Sequence, residues 1–490
     1  MMKNRDALIG KLTDVVGEAY ITIHRADLLP YTRDSYTSLM NKPSPLPDCV
    51  VMPRSTEQIR RIVLLANEYK TPVYPRSFGI NIAGSAIPYL GGIVIDLKGM
   101  NRILEINEDT MTATIEPGVC WGILRKASRK KGMDVIPIIG PYQTSPIGNF
   151  LLTNVTAYSS KYCIDRAVTL EVVLPSGEIL RTGSQATERG AKVNPYFRYS
   201  YGPDITGLFR GSMGNYGIIT KMVIRLRPLA DLEKNLFFSF DELKDALKAI
   251  QRIERLEISR TVLLQNNQFT VHCLLSPEKL KDHAQKKELL NSLPQLTLGI
   301  GIGGNAKQMA LYEEMIEEEI TQLNGKKHGF EGEFKDALDE VQEGAGQKIL
   351  RMYAPLSGYA AVIGCLPIGN AEKVYNLVRG VVAKHGLRDP ISGEPLKHEL
   401  LVVPYDRCSS VYVEQELLYD PADRERVSRV QGCLRECYRE IVGKYGAVHT
   451  IPNASLLKRM IPAYTSLLKG IKKIVDPNGI MLPGGPYSFQ

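Results

Sequence analysis

The period of apolar and polar positions changes along the chain, and the changes mark its elements. From Ser55, Ile59, Ile62, Val63 and Ala66 recur at helical spacing, and Ser55 with Gln58 forms a capping-box signature at the start. A short apolar strand, Val73 to Pro75, leads into a segment carrying Gly79, Gly84, Gly91 and Gly92, and a second strand, Ile93 to Leu97, follows. Residues 111–116 alternate as a strand, Pro117-Gly118 turns the chain, and a basic helix (I-L-R-K-A-S-R-K-K) with a solvated charged face ends at Gly132. A hairpin with Pro-Ser-Gly at its turn covers 169–183, and a glycine run from 201 enters an alternating strand that ends near Pro228. The first 48 residues mix helix formers with a Pro-rich exit, K-P-S-P-L-P-D, and read as an extended lead-in arm.

The pattern shifts near Leu229 to long amphipathic helices between short strands. Asp241 is the expected cap of one helix, and Ser276 with Pro277 starts another. Asn370 to Lys384 forms a helix closed by Gly386, and a helix beginning at Asp420-Pro421 runs to Gly446. Cys433 and Cys437 fall i,i+4 on the apolar stripe of that last helix, where core packing is the expected role ahead of a metal or redox pair. The glycines of G-I-G-I-G-G-N (299–305) resemble a dinucleotide turn, but no strand–helix unit with a downstream acid accompanies them.

At 490 residues the chain exceeds one ordinary core, so two or three domains are expected. No apolar run approaches the ~20 residues that span a bilayer, and the charged N-terminus lacks the apolar core of a secretion signal. A cytoplasmic protein with reduced thiols is the expectation, because the eight cysteines lack C-x-x-C spacing. Lys and Arg exceed Asp and Glu by 61 − 53 = 8, spread along the chain with no basic tract interleaved with aromatics, which argues against nucleic acid.

Two stretches carry candidate chemistry. The glycine-rich loop after Val73 lets backbone N–H groups approach an anion, with Arg76 and Asn81 as added donors. Residues 139–160, rich in Gly, Ser, Thr and Asn, contain no charged residue; they suit a neutral polar ligand such as a ribityl chain or flavin ring, or a buried interdomain seam.

Five segments fall in one order: V-V-M-P-R-S-T-E-Q-I-R-R-I-V-L-L-A-N (50–67), the glycine loop with I-V-I-D-L-K-G-M-N-R-I-L-E-I, I-E-P-G-V (115–119), G-L-F-R-G-S-M-G-N-Y-G-I-I-T-K (207–221) and D-P-N-G-I-M-L-P-G (476–484). Together they resemble the flavoproteins of the vanillyl-alcohol oxidase and p-cresol methylhydroxylase family. The resemblance implies an α+β chain: a two-part α/β FAD-binding domain of the p-cresol methylhydroxylase type under an α+β cap domain. The implied division is an N-terminal arm (1–45), the FAD-binding domain (46–229), the cap over the substrate (230–445) and a C-terminal segment returning to the FAD domain (446–490). By the same resemblance Arg76, Ser77, Phe78, Gly79, Ile80, Asn81, Gly84 and Ser85 would hold the pyrophosphate. Pro117, Gly118 and Val119 would pack near the adenosine half. Thr144, Ser145, Gly148 and Asn149 would line the ribityl chain and ring, and Gly214, Gly217, Ile218 and Ile219 would meet adenine and ring edges.

The departures from the family bear on the substrate. Positions where phenol-oxidising members hold a tyrosine and a Tyr-Arg pair fall on Ala83, Val448 and His449. The flavin-side aspartate falls near Tyr162–Cys163, with Asp165 close. The flavin-linking position falls around Cys408, Ser409 and Ser410, so non-covalent FAD is expected, with tyrosyl attachment through Tyr412 left open. The G-H-x-G-D-G-N metal motif of the glycolate and D-lactate dehydrogenase branch has no counterpart, and no metal is expected. The remaining candidates for chemistry are His449 as base and Tyr162, Tyr405 and Arg407 as substrate contacts, the last as a carboxylate clamp. The expected activity is hydride transfer from a small organic alcohol, hydroxy acid or benzylic substrate to FAD, as a dehydrogenase before an oxidase. The expected acceptor is a protein or quinone, in a homo- or hetero-oligomer. The alternative is a flavin-bearing electron-transfer subunit of a multi-protein redox complex.

Overall fold

The computed structural model of the chain describes residues 2–34, 44–80, 84–136, 140–152, 166–187, 195–274, 282–342, 358–390, 393–405, 407–447, 460–485 and 488–489. Strands β1 (Ile21–Thr22), β2 (Cys49–Val51), β3 (Val73–Arg76) and β4 (Ile93–Asp96) form a first sheet of order β1-β2-β4-β3, parallel except for β1. Parallel pairing needs a crossover, and helix Thr56–Glu68 supplies it between β2 and β3, burying Ile59, Ile62, Val63 and Ala66 as their spacing predicts. Ser55 caps the helix by accepting from the Gln58 N–H, while Gln58 takes the N–H of Arg54.

The N-terminus departs from the expected arm. Helix Met2–Val16 puts Leu8, Leu12, Val15 and Val16 into the core beside helix Thr56–Glu68, and Ile21–Thr22 joins the sheet. An apolar stripe at helical spacing is stabilised far more by this burial than by trailing through water.

Strands β5 (Ile103–Asn107), β6 (Thr112–Ile115), β7 (Met133–Val135), β8 (Ala167–Val173), β9 (Ile179–Arg181) and β10 (Ile218–Pro228) form a second, antiparallel sheet of order β5-β6-β10-β8-β9, with β7 also on β10. The basic helix spans Trp121–Arg129, and its charged face is not all solvated: Arg125 and Arg129 turn onto buried Asp134 at 3.2 and 2.9 Å.

From Leu232 every described strand belongs to a third sheet. It comprises β11 (Leu232–Phe240), β12 (Thr261–Asn266), β13 (Leu296–Gly304), β14 (Lys326–Lys327), β15 (Gly358–Leu366), β16 (Leu401–Tyr405) and β17 (Ser410–Tyr419), in the order β14-β11-β13-β12-β16-β17-β15. Helices Leu243–Leu256, Ala306–Thr321, Ala371–Lys384 and Arg424–Tyr445 bury one face of it in a large apolar core that includes Cys433 and Cys437. Two expected caps move: Glu242 precedes the first of these helices with no side-chain cap, and Asp423 caps the last because Asp420 is used in the preceding turn. Ser276 and Pro277 lie outside the described residues.

The G-I-G-I-G-G run is the strand β13 itself. Helix Gly332–Gln342 is tied to the sheet there, with Gln342 Nε2 donating to the Gly299 carbonyl at 3.0 Å and to Thr261 Oγ at 2.9 Å. A Cβ on Gly299 would stand 2.4 Å from Gln342 Oε1, and one on Gly301 2.2 Å from Thr261 Oγ. Close packing, not phosphate binding, accounts for these two glycines.

The C-terminus returns to the first sheet. After helix Pro462–Val475, Ile480–Leu482 runs beside Val73: Val73 donates to the Ile480 carbonyl at 2.8 Å, and Leu482 donates to the Val73 carbonyl at 3.0 Å. Buried Lys472 locks this return by donating to Asp476 at 2.7 Å and to the carbonyls of Asn215 and Met481 at 2.9 Å each.

Candidate functional site

Between the first two sheets lies a cleft open to solvent. Its walls come from Pro75–Ile80 and Ser85–Ala86 after β3, Pro117, Thr144–Ser145 and Ile147–Asn149, Leu151–Leu152, and Met213–Gly214 with Gly217–Ile219. Of the sequence candidates, Arg76, Ser77, Phe78, Gly79, Ile80, Ser85, Pro117, Thr144, Ser145, Gly148, Asn149, Gly214, Gly217, Ile218 and Ile219 line it. Asn81 lies outside the described residues. Gly84, Gly118 and Val119 stand behind the wall. The Gly84 N–H donates to Asp34 at 2.8 Å, Val119 is buried in the core, and a Cβ on Gly118 would meet the carbonyls of Lys98 and Met100 at 2.7 Å.

The described wall combines glycines and small polar residues with apolar side chains such as Phe78, Ile147, Leu151 and Met213, and its one charge among the described residues is Arg76. Gly79 and Gly214 have φ of 70° and 87°, conformations that favour glycine, so the main chain itself faces the cleft. Burial draws the Arg76 guanidinium down from its usual range, against the pull of Tyr31, Asp96 and Asp34. It lies 5.0 Å from the ring of Tyr31, whose hydroxyl donates to Asp96 at 2.6 Å. On the opposite wall Ser145 donates to the Pro117 carbonyl at 2.8 Å, and Asn149 Oδ1 accepts from the Trp121 indole at 2.6 Å and from Thr144 at 3.1 Å. A lone guanidinium beside bare backbone suits a diphosphate, and the neutral wall of Thr144 to Asn149 suits an uncharged ring and polyol. The donor set therefore fits FAD.

Of the four catalytic candidates, the two that are described, Tyr405 and Arg407, do not line the cleft. Tyr162 and His449 lie outside the described residues. Tyr405 is buried on the second face of the third sheet, hydrogen-bonded to Cys365 and edge-on to Tyr412 with centroids 6.4 Å apart. Arg407 sits in the β16–β17 turn, mostly exposed and paired with Glu257 at 2.6 Å, so it does not reach that face as a carboxylate clamp. Tyr412, weighed in the sequence only for tyrosyl attachment, donates its hydroxyl to Glu414 at 2.5 Å. Burial first, then Glu414, pushes this phenol well above its ordinary value, so it stays protonated. The signal was the alternation V-Y-V-E-Q-E-L, which sends Tyr412, Glu414 and Glu416 to one face. Tyr31, Asp34 and Asp96, which brace the glycine loop, left no local signal. Among the described residues no three His, Cys, Asp or Glu side chains are placed to hold a metal ion, and no helix is long and apolar enough to cross a membrane.

Residues 47–183 match the FAD binding domain family. The chain is 25% identical to the glycolate oxidase subunit GlcD of Bacillus subtilis over 98% of its own length and 96% of the relative's. It is 24% identical to the flavoprotein subunit of 4-cresol dehydrogenase (hydroxylating) of Pseudomonas putida, over 97% and 94%. The structure of p-cresol methylhydroxylase with substrate bound superposes with a TM-score of 0.86 at 20% identity, covering 99% of this chain and 97% of that one. The 4-ethylphenol oxidase of Gulosibacter chungangensis gives 0.85 at 22%, with the same coverage. The chain is an FAD-dependent oxidoreductase. Its homologues and structure neighbours include members of the p-cresol methylhydroxylase flavoprotein family, and it shares their fold.

Proposed function

We propose that this chain takes hydride from a small organic alcohol, hydroxy acid or benzylic substrate and passes the electrons to a protein or quinone, acting as a dehydrogenase before an oxidase. The observation that carries the reading is the cleft in which segments 75–86, 117, 144–152 and 213–219 converge. FAD, when bound, supplies the two-electron acceptor. In this reading Arg76 and the backbone of 77–85 hold the diphosphate, with Tyr31 and Asp34 bracing that loop. Gly118 and Val119 shape the turn behind Pro117. Thr144, Ser145, Gly148 and Asn149 line the ribityl chain and ring, and Gly214, Gly217, Ile218 and Ile219 close the remaining edges. Attachment is non-covalent, because Tyr412 is already committed to Glu414. Tyr405 and the Tyr412–Glu414 pair form one wall of the substrate space on the cap. His449 stands as the base inferred from family position alone.

The test is anaerobic titration of the yellow holoprotein with a panel of alcohols, hydroxy acids and benzylic compounds, reading loss of flavin absorbance. Bleaching by one class supports direct oxidation. Two relatives are named as subunits, which favours a second reading, an electron-transfer subunit. Reduction only when a co-purifying protein is added would establish that reading in place of the first.

A further inference from the structure

A second cavity, also open to solvent, lies where the second and third sheets meet. The second sheet and its basic helix give it Arg227, near the end of β10, and Arg125. The third sheet gives it Glu233 and Lys234 on β11 and Arg260 with Thr261 at the start of β12. Helix Gly332–Gln342 adds Lys335 and Asp339.

Five of these side chains are cationic and two are carboxylates. At the rim the charges pair off, Lys335 with Asp339 and Lys234 with Glu313 at 2.6 Å. Below the rim guanidinium groups outnumber carboxylates. Asp134, 1% exposed, is shared by Arg125 at 3.2 Å, Arg129 at 2.9 Å and Arg227 at 3.5 Å. Glu233 is shared by Arg129 at 2.9 Å and Arg260 at 3.4 Å. Among the described residues, four arginines and two carboxylates thus form one connected network with an excess of positive charge.

The excess cannot be relieved by losing protons, because arginine stays charged in proteins. Burial opposes ionisation of Asp134, but the three arginines outweigh it and hold the carboxyl below its usual value. Arg227 is 4% exposed and the side chains of Arg125 and Arg260 are 14% exposed, so water screens the network poorly. A cleft lined by one sign of charge concentrates counter-ions, and guanidinium forks take phosphate and carboxylate through paired oxygens. Thr261, whose Oγ accepts from Gln342 at 2.9 Å, has a hydroxyl proton to add. A network of four arginines with two carboxylates is two charges short of neutrality, which a dianion supplies and a monoanion does not.

We propose that this cavity binds a small oxyanion with two negative charges, a phosphate or a dicarboxylate, among Arg125, Arg227 and Arg260. The inference goes beyond the oxidative reading and does not depend on it. The cations come from both sheets, beside the chain crossing at 229–231 that joins β10 to β11. The bound anion therefore draws the third sheet onto the second and stabilises their junction.

Inorganic phosphate and malonate are the probes, titrated calorimetrically at constant ionic strength into holoprotein saturated with FAD, so that Arg76 is not the site being filled. Saturable binding of at least one is expected, with acetate roughly tenfold weaker; the tighter of the two distinguishes a phosphate from a dicarboxylate ligand. At a hundredfold its Kd the anion raises the Tm of the whole chain by about 3 °C over sodium chloride of equal ionic strength. Arg125→Gln and Arg260→Gln each weaken binding by roughly tenfold or more. Lys326→Gln, which alters an exposed side chain elsewhere on the third sheet, leaves it unchanged. Should the arginine variants fail to fold, wild-type protein supplies the test: the bound anion slows modification of Arg125 and Arg260 by phenylglyoxal but not that of exposed Arg407. The proposal is overturned if neither probe binds saturably at millimolar concentration, or if both arginine variants keep the wild-type affinity. Equal loss of affinity in Lys326→Gln, or modification of Arg125 and Arg260 that neither anion slows, overturns it as well.

Discussion

Replacing Lys472 by Met isolates one buried group that pins the C-terminal segment to the FAD-binding part. Lys472 is 3% exposed, Asp476 is fully buried, and all three ammonium protons have acceptors. Burial draws the ammonium down from its ordinary value and Asp476 holds against it. The substitution leaves the Asp476 carboxylate buried with only the N–H groups of Ile480 and Met481. Breaking a buried pair by removing one partner costs about 3–5 kcal/mol. If the FAD-binding part, roughly 230 residues, melts as its own unit, its unfolding entropy is about 0.5 kcal/mol per kelvin, so Tm falls by ~8 °C. If all 490 residues melt together the entropy doubles, and the fall is ~4 °C. Ile480–Leu482 runs beside Val73, directly before the glycine loop, so loosening it also weakens FAD retention. Differential scanning calorimetry of holoprotein, with flavin fluorescence followed in parallel, reads both effects. An unchanged Tm with full flavin retention would refute the pinning role.

Gly118→Ala is expected to cost more than about 3 kcal/mol, because all three nearest atoms are backbone carbonyls within 2.8 Å and overpacking against unyielding neighbours is destabilising; insoluble or flavin-free protein is the readout. Gly122→Ala, whose nearest neighbour stands at 3.6 Å, is the control and should be neutral or stabilising by up to about 1 kcal/mol in a urea melt. Burial opposes ionisation of Glu171, but Lys221, Thr56 and Thr220 outweigh it and hold the carboxyl below its usual value. The stability this gives is complete above about pH 4.3 and is lost as pH falls toward the lowered folded value, so Glu171→Gln should flatten acid unfolding monitored by circular dichroism. Acid precipitation of the holoprotein should leave all flavin in the supernatant; yellow precipitate would mean a covalent link.

The cleft was legible in the sequence because its parts are backbone demands. Glycines 79, 214 and 217 and the uncharged run through Thr144 to Asn149 are fixed by close approach and by neutrality, and both leave marks in composition. The braces behind the cleft were not legible. Tyr31 reaches Asp96 across 65 positions, and neither residue announces such a bond locally. The N-terminal helix was missed because the Pro-rich exit dominated the reading of its neighbourhood, although Leu8, Leu12 and Val15 already had helical spacing. On the basic helix, Arg125 and Arg129 point inward because Asp134 lies one β-turn away in sequence and is fully desolvated there; composition alone assigns such side chains to water.

The third sheet was harder to read in the sequence than the cleft. The cleft that fits FAD is marked by glycines in the sequence, whereas the buried polar side chains of the third sheet converge from distant strands. Glu399, Glu414 and Glu416 are all buried, yet they reach their neighbourhood from β17 and from the approach to β16, and His272 joins them from a helix more than a hundred residues earlier. Alternation puts Tyr412 and Glu414 on one face of β17, but only the register Val403↔Tyr412 sets them on the face of Tyr405, and only Gln265↔Leu401 brings Gln265 beside Glu399. Arg407, the one residue read as an anion clamp, turns instead to Glu257. The buried face that results carries the carboxyl groups of Glu399 and Glu414 where a cationic clamp was expected.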